Sequence, residues 1–337
     1  MLTGEPPQTR NGLGRTMKNS AKVLASATVR ALPAGFTKSM LRAAALAPPG
    51  AKTALFERIC SRVAALAVTD SRELIQTNLG LSSRLRCRVP FSKMSYAFGR
   101  PENGLSERAT LALVTELSRD CDVFIDVGAN DGLFTFVVWQ ETFRKGIRLH
   151  WFEPDHDLYE RLTKNLAANF VVTRGNCAAV ADKKGVAHFY KNLSDDSSGS
   201  ITDCFAQQHE TRRETVETIR LDDYFRENEV NNALVKIDVE GAGYDAWSGA
   251  INASDRVNYL VMEMLAPEMD KGLPRKIISE WGFHAYYLRD FVLEESLDGT
   301  YRYVPPFWNW LFCRLEPEAL AKRLSGTRFK VAGKAVA

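Results

Sequence analysis

Four clusters of acidic, glycine and amide residues carry the chemistry open to this chain. The first is Phe124-Ile125-Asp126-Val127-Gly128-Ala129-Asn130-Asp131-Gly132, an apolar run that ends in an acid and turns through two glycines at GxxxG spacing into a helical pattern. A dinucleotide-binding turn spaces its glycines GxGxxG so that backbone amides close on a pyrophosphate, and an acid ahead of the first glycine repels that anion. The spacing here, with Asp126 present, instead suits a ligand that has a cationic amino group and no phosphate. Asp126 would attract the ammonium, and N–H groups near Gly128 would take a carboxylate; Asn130 and Gly132 complete the turn. The amino-acid tail of S-adenosylmethionine offers both groups.

Trp151-Phe152-Glu153-Pro154 sets Glu153 at the carboxyl end of the next apolar run, where a carboxylate can accept hydrogen bonds from both ribose hydroxyls. Alone, such an acid is weak evidence and reads first as a helix N-cap. After the Asp126 turn, it reads as a ribose ligand. Asn176, within Arg174-Gly175-Asn176-Cys177-Ala178, stands where an adenine edge would lie, and an ordinary turn asparagine is the competing reading.

The fourth cluster, Lys236-Ile237-Asp238-Val239-Glu240-Gly241-Ala242-Gly243, carries Asp238 and Glu240 at the end of another apolar run. If that strand persists, alternation puts both on one side. Paired there, they can neutralise a sulfonium, take a proton from a nucleophile or hold a divalent cation. The competing reading makes Glu240 a first-turn helix acid and Asp238 a backbone brace. His209 and His284 have no spacing that ties them to these clusters.

Positioning these groups requires strand, turn and helix in repeated succession, the pattern of a parallel sheet covered on both faces. Short continuous apolar runs predict strands at Val123 to Val127, Leu149 to Phe152, Phe170 to Thr173, Leu234 to Val239 and Tyr259 to Met264. Helices are predicted at Leu133 to Phe143, Asp157 to Ala168, Leu221 to Glu227, Tyr244 to Ile251 and Leu273 to Trp281. Between them, Val186 to Asp203 interrupts the rhythm with a short strand at Ala187 to Tyr190 and a Ser-, Asp- and Gly-rich loop from Ser194 to Ser200. Near the end, Phe283 to Leu288 and Tyr301 to Leu315 read as an antiparallel hairpin on the sheet edge. Ligands of such sheets bind outside the carboxyl ends of the strands.

The rest of the composition is bland. With 44 basic and 41 acidic side chains, the net charge of +3 gives no reason to expect nucleic acid as a partner. Six cysteines without a CxxC pair or a Cys/His cluster argue against a disulfide framework and a metal site, and fit free thiols in the cytoplasm. No apolar run approaches the roughly 20 residues of a transmembrane helix. The head is different: Glu5 is the only acid before Pro48, against a scatter of Arg and Lys. Residues 1–95 read as a basic, partly disordered, helical extension with three readings: a cap on the domain, a membrane-surface or partner-binding helix, or a transit peptide. Residues 96–325 form the α/β domain, and residues 326–337 a tail.

From about Tyr96 to about Leu315 the chain resembles the FkbM family of methyltransferases. Tyr96-Ala97-Phe98-Gly99 with Glu107 is similar to the family's lead-in, Phe124 to Gly132 to its first binding motif, Phe152-Glu153-Pro154 with Asn165-Leu166 to its second, and Lys236 to Gly241 to its hallmark. The resemblance implies a Rossmann-like class I methyltransferase fold with a seven-stranded, mostly parallel sheet. It further implies S-adenosylmethionine as donor and O-methylation of a sugar, glycan or polyketide-type small molecule. On the residues themselves, Asp238 and Glu240 are expected to face the acceptor side. Asp131 departs from the family pattern, where an apolar or small residue is more frequent, and Gly243 stands where an acid is common. A nicotinamide-dependent oxidoreductase would share the strand-turn-helix opening and Glu153, but the GxxxG turn and Asp126 oppose it. The non-enzymatic alternative is a scaffold that has lost catalysis and acts through the basic head.

Overall fold

The computed structural model describes residues 104–194, 198–300 and 308–333, with residue 39 and the backbone of residues 74–78 and 86–90. The helices expected between residues 20 and 69, the Tyr96 lead-in and Tyr301, Tyr303 and Phe307 lie outside the described residues. Within the stretch expected to be helical, two strands, β1 (Leu74–Asn78) and β2 (Arg86–Pro90), pair antiparallel.

Helix α1 (Gly104–Ser118) leads into β3 (Val123–Val127), whose five residues are all buried, as a run rich in Val and Ile covered on both faces requires. Next come α2 (Leu133–Thr142), β4 (Arg148–Phe152), α3 (His156–Ala168) and β5 (Arg174–Asn176). After an inserted sheet, α5 (Leu221–Glu227) returns the chain to β10 (Ala233–Ile237) on the other side of β3. Then follow α6 (Gly243–Ser248), β11 (Val257–Glu263), α7 (Ala266–Asp270) and α8 (Leu273–Trp281). The chain ends with β12 (His284–Arg289), β13 (Val292–Ser296), β14 (Asn309–Cys313), α9 (Pro317–Arg323) and β15 (Lys330–Ala332).

These strands form a sheet in the order β15-β13-β12-β14-β11-β10-β3-β4-β5. From β11 to β5 all neighbours are parallel, and β14 inserts antiparallel between β11 and β12. The result is a Rossmann-like α/β fold of the class I methyltransferase type. It has nine strands rather than the seven expected, because β13 and β15 extend the edge beyond β12. The tail boundary at 325 therefore falls inside the domain: Phe329 is buried and Lys330 to Ala332 pair with β13. The reversal between β3 and β10 is the switch point where open α/β sheets bind ligands.

Strand alternation divides the core into two. Phe124, Leu149, Trp151 and Leu234 pack with α1, α2 and α3, while Val123, Ile125, Val127, Val235 and Ile237 pack with α5, α6 and α8. The inserted sheet consists of β6 (Ala179–Val180), β7 (Gly185–Asn192), β8 (Gly199–Ser200) and β9 (Thr211–Ile219), with the short helix α4 (Asp203–Gln208) between the last two. β7 and β9 pair antiparallel from Gly185–Thr218 to Asn192–Thr211, so the short strand expected at Ala187 to Tyr190 is a full hairpin arm. The strand expected at Phe170 to Thr173 is instead the turn that closes α3 and the irregular link to β5. Phe170 takes φ 56° as the helix stops, and Val171 N–H returns to Leu166 O at 3.0 Å. Val171 and Leu166 share one core cluster, the hydrophobic contact that closes such a stop.

Candidate active site at the sheet switch point

The first turn owes its glycines to the fold. Gly128 has φ +79°, and a Cβ there would stand 1.9 Å from the Asp238 carbonyl oxygen, because the chain leaving β10 crosses directly over it. Gly132, at φ +80°, faces Leu162 of α3, whose Cδ1 would lie 2.2 Å from a Cβ. The N–H groups of Gly128 and Ala129 both donate to Phe152 O at 3.0 Å. They are engaged by β4, which corrects the expectation that they receive a ligand carboxylate.

Glu153 is buried, 5% exposed, at the carboxyl end of β4. Its Oε2 accepts the Asn130 N–H at 2.8 Å and its Oε1 the Asp155 N–H at 3.0 Å, so two backbone donors aim the carboxylate. Asn130 reaches it by adopting φ 53°, a left-handed conformation asparagine tolerates. Asp155 caps α3 and also meets Lys191 of β7, whose Nζ lies 2.7 Å from Asp155 Oδ2 and 2.9 Å from Asp157 Oδ2. The inserted sheet is thereby fastened to the Glu153 loop. The Lys191 hydrogen bond and charge hold Asp157 below the usual carboxylate range.

Asn176 lies beside this loop, its carbonyl accepting the Glu153 N–H at 3.1 Å. Its Nδ2 donates to Trp151 O at 3.1 Å and to the Tyr224 hydroxyl at 3.3 Å, and that hydroxyl meets His150 Nδ1 at 3.0 Å. The chain of contacts fixes the amide with its Oδ1 left to accept. Burial, then Arg148 and Arg174, push His150 down to about 4, so the relay is neutral at physiological pH. Burial, then Glu153 and Asp155, raise the Cys177 thiol, keeping it uncharged as well.

Asp126 was expected to meet a ligand ammonium; the structure gives it one from its own chain. It is 0% exposed, pairs in register with Lys236 of β10, accepts from Thr135 Oγ1 at 2.8 Å and lies 3.7 Å from Lys236 Nζ. Burial raises its pKa, against the opposing effect of Lys236. Lys236 is itself 3% exposed, stands 4.3 Å over the Phe134 ring and donates to Asp238 Oδ2 at 3.1 Å. Of the three charged groups, Asp238 alone reaches the surface, with 29% of its side chain exposed.

β10 stops at Ile237, so strand alternation does not align Asp238 with Glu240. Glu240 instead sits half-buried in the following loop at φ 50°. There the inserted sheet approaches: Ser200 Oγ is 3.5 Å from Val239 O, and Thr202 Oγ1 lies 3.9 Å from where a Gly241 Cβ would be. The two clusters thus share the switch point but face different neighbours. His209 is exposed just after α4, and His284 pairs with Glu295 on β13.

Both departures from the family pattern have local compensation. Asp131 is neutralised by Arg161 of α3, with Nε at 3.0 Å and a terminal nitrogen at 2.8 Å. At Gly243, the N–H donates at 2.9 Å to Glu268, a 1% exposed side chain from α7 that also accepts the Leu265 N–H at 3.2 Å. Lys236, Lys191, Arg161 and Glu268 were not singled out from sequence. Lys236 had a legible signal, a cation inside an apolar strand covered on both faces, which demands a buried counter-charge. Among the described residues, no three His, Cys, Asp or Glu side chains cluster to hold a metal ion, and no helix is long and apolar enough to cross a membrane.

Comparison with known proteins bears on this geometry. The chain is 26% identical over 175 residues to the hexuronic acid methyltransferase AglP of Haloferax volcanii, covering 52% of this chain and 68% of that protein. A solved FkbM methyltransferase from Methylobacillus flagellatus KT is 16% identical with TM-score 0.37, covering 57% of this chain and 43% of its own. The tRNA (uracil-54, C5)-methyltransferase of Pyrococcus abyssi, solved with S-adenosyl-L-homocysteine, is 10% identical with TM-score 0.38, covering 72% and 44%. The chain spans less than half the length of either solved protein. Residues 126–302, which include Asp126, Glu153, Asn176, Asp238 and Glu240, match the methyltransferase FkbM domain, and the chain belongs to that family of methyltransferases.

Proposed function

We propose that this methyltransferase takes S-adenosylmethionine as donor and methylates a hydroxyl of a sugar, glycan or polyketide-type small molecule. The observation that carries the donor reading is Glu153, a carboxylate at the end of β4 aimed by the Asn130 and Asp155 amides beside the switch point. Glu153 accepts the two ribose hydroxyls, a recognition that a nucleoside without a 2′-phosphate satisfies. Asn176 Oδ1, fixed by the Tyr224–His150 relay, accepts the adenine amino group, and the neutral Cys177 lies beside it in sequence. Asp238 sets a negative charge toward the donor's cationic centre.

When bound, the donor supplies an electrophilic methyl on a sulfonium, open to in-line displacement by an acceptor oxygen. Glu240, whose neighbours Val239 and Gly241 meet the Ser200–Thr202 segment, receives the hydroxyl proton. The acceptor class rests on family membership and on the hexuronic acid methyltransferase relative. Four cysteines that stand unpaired, Cys121, Cys177, Cys204 and Cys313, favour a cytoplasmic setting.

The test is methyl-labelled donor incubated with the protein and a panel of neutral sugars, uronic acids and nucleic acid. Base-stable label on a sugar, signifying a methyl ether, is the expected result. Label released by mild alkali, signifying an ester, or found on nucleic acid would overturn the acceptor assignment.

A further inference from the structure

We infer that Tyr244, Lys271 and Lys276 form an anion subsite bordering the Glu240 loop, and that it selects an acidic sugar, one carrying a carboxylate or a phosphate ester, as acceptor. The inference rests on the sugar reading above and deepens it by naming the charge of the acceptor.

Three elements bring the cluster together. Tyr244 stands in the first turn of α6, four residues after Glu240, and is half-buried. Lys276 of α8, also half-buried, donates from Nζ to the Tyr244 hydroxyl at 2.6 Å and lies 4.9 Å over the ring centroid. Lys271, the exposed C-cap of α7, sets its Nζ over the same ring at 5.0 Å. Helix α7 is fastened to the Glu240 loop at two points: Pro267 Cγ lies 3.6 Å from where a Gly241 Cβ would be, and Glu268 Oε1 takes the Gly243 N–H at 2.9 Å. Lys271 follows one turn after Pro267, its N–H returning to the Pro267 carbonyl at 3.2 Å.

Two ammonium groups held over one ring repel each other, and an aromatic face offers them only a modest counterweight. Among the described residues neither lysine lies within ion-pair distance of a carboxylate. The acids whose charge reaches them are Asp245 and Glu268, on Lys271, and Glu280, on Lys276. Glu268 is spent on the Gly243 and Leu265 amides. The pair is thus left with uncompensated positive charge. A phenol oxygen that accepts from an ammonium keeps its own hydrogen to donate, so the Tyr244 O–H joins the two cations in facing an acceptor of negative charge. Carboxylate and phosphate oxygens take such charge-assisted hydrogen bonds, whereas a neutral sugar hydroxyl gains little from two cations.

The experiment is calorimetric titration of methyl glucoside, methyl glucuronide and methyl glucoside 6-phosphate, which differ only at the sugar's exocyclic carbon, into the wild type, Lys271→Gln/Lys276→Gln, Lys271→Arg/Lys276→Arg and Tyr244→Phe. The wild type is expected to bind at least one acidic glycoside about fivefold or more tighter than the neutral one, on the scale of exposed ion pairs; which of the two is preferred separates carboxylate from phosphate. Lys271→Gln/Lys276→Gln should lose that preference while holding the neutral glycoside as the wild type does, and Lys271→Arg/Lys276→Arg should keep it. Tyr244→Phe, which retains the ring and removes only the hydroxyl, should lose part of the preference, and it carries the test should the glutamine variant fail to fold. Equal binding of acidic and neutral glycosides by the wild type, or an undiminished preference in the folded glutamine variant, would overturn the subsite. Binding of none of the three by the wild type would instead bring down the sugar reading on which the subsite rests.

Discussion

At the scale of single residues, the site is assembled from groups whose partners lie within the chain. Asp126 and Lys236 satisfy each other in the core, and removing one member of a buried pair leaves the other uncompensated, at a cost of about 3–5 kcal/mol. Asp126→Ala is accordingly expected to lower the denaturant midpoint markedly, whereas Asp126→Asn/Lys236→Met should be less destabilised than either single change. A double-mutant cycle by chemical unfolding reads this directly; additive losses would contradict the pairing. Gly128 is constrained in another way, because a side chain there would occupy the place of the Asp238 carbonyl. Gly128→Ala combines that overlap with a left-handed backbone, and the account expects failure to fold or a loss above about 3 kcal/mol. A Gly128→Ala protein with the wild-type melting temperature would show that the β10 exit is elsewhere.

At the scale of elements, the inserted sheet is the part that joins the two halves of the site. β7 reaches the Glu153 loop through Lys191, and β8 with Thr202 meets the Val239–Gly241 loop. Lys191→Met should loosen the Asp155 cap and thereby Glu153, raising the donor dissociation constant severalfold, while Lys191→Arg retains it; calorimetry on the two variants decides. This coupling was not legible in the sequence. Thr211 to Ile219 is charged and lacks an apolar run, since its strand buries few side chains and faces solvent along most of its length. The parallel core was legible for the opposite reason. Val123 to Val127, Leu221 to Glu227 and Leu273 to Trp281 fall where the patterning puts them, because burial on both sheet faces, or an apolar helix stripe, leaves a strong imprint. Phe170 to Thr173 misled because Val171 serves as the hydrophobic stop of a helix, a use that a β-branched run conceals.

At the scale of the whole molecule, the ends of β3, β4, β5 and β10 lie around one switch point, and the strand-end residues there have different neighbours. Glu153 and Asn176 stand by the β4 and β5 ends, Asp238 at the surface end of the Asp126–Lys236–Asp238 line, and Glu240 in the loop whose Val239 and Gly241 meet the inserted segment. That division depends on contacts between segments distant in sequence, which spacing alone does not encode. Global stability carries a related signature. His150 has its pKa lowered from 6.5 to about 4 by burial and neighbouring arginines, so between those values the unfolded chain binds a proton that the native one refuses. Its contribution is complete above pH 6.5 and is lost as pH falls toward 4, a change on the order of 3 kcal/mol. Unfolding free energies at pH 7 and pH 5 should differ less in His150→Gln than in the wild type; an unchanged difference would place the acid sensitivity elsewhere.

The most direct test of the central claim is donor binding to the wild type and to Glu153→Ala, measured by titration calorimetry with S-adenosylmethionine. The wild type should bind, and loss of the aimed carboxylate should weaken binding by roughly tenfold to a hundredfold, as expected for hydrogen bonds to a charged group worth about 1.5–3 kcal/mol. A wild type that does not bind S-adenosylmethionine, or a folded Glu153→Ala that binds it as tightly as the wild type, would contradict the account.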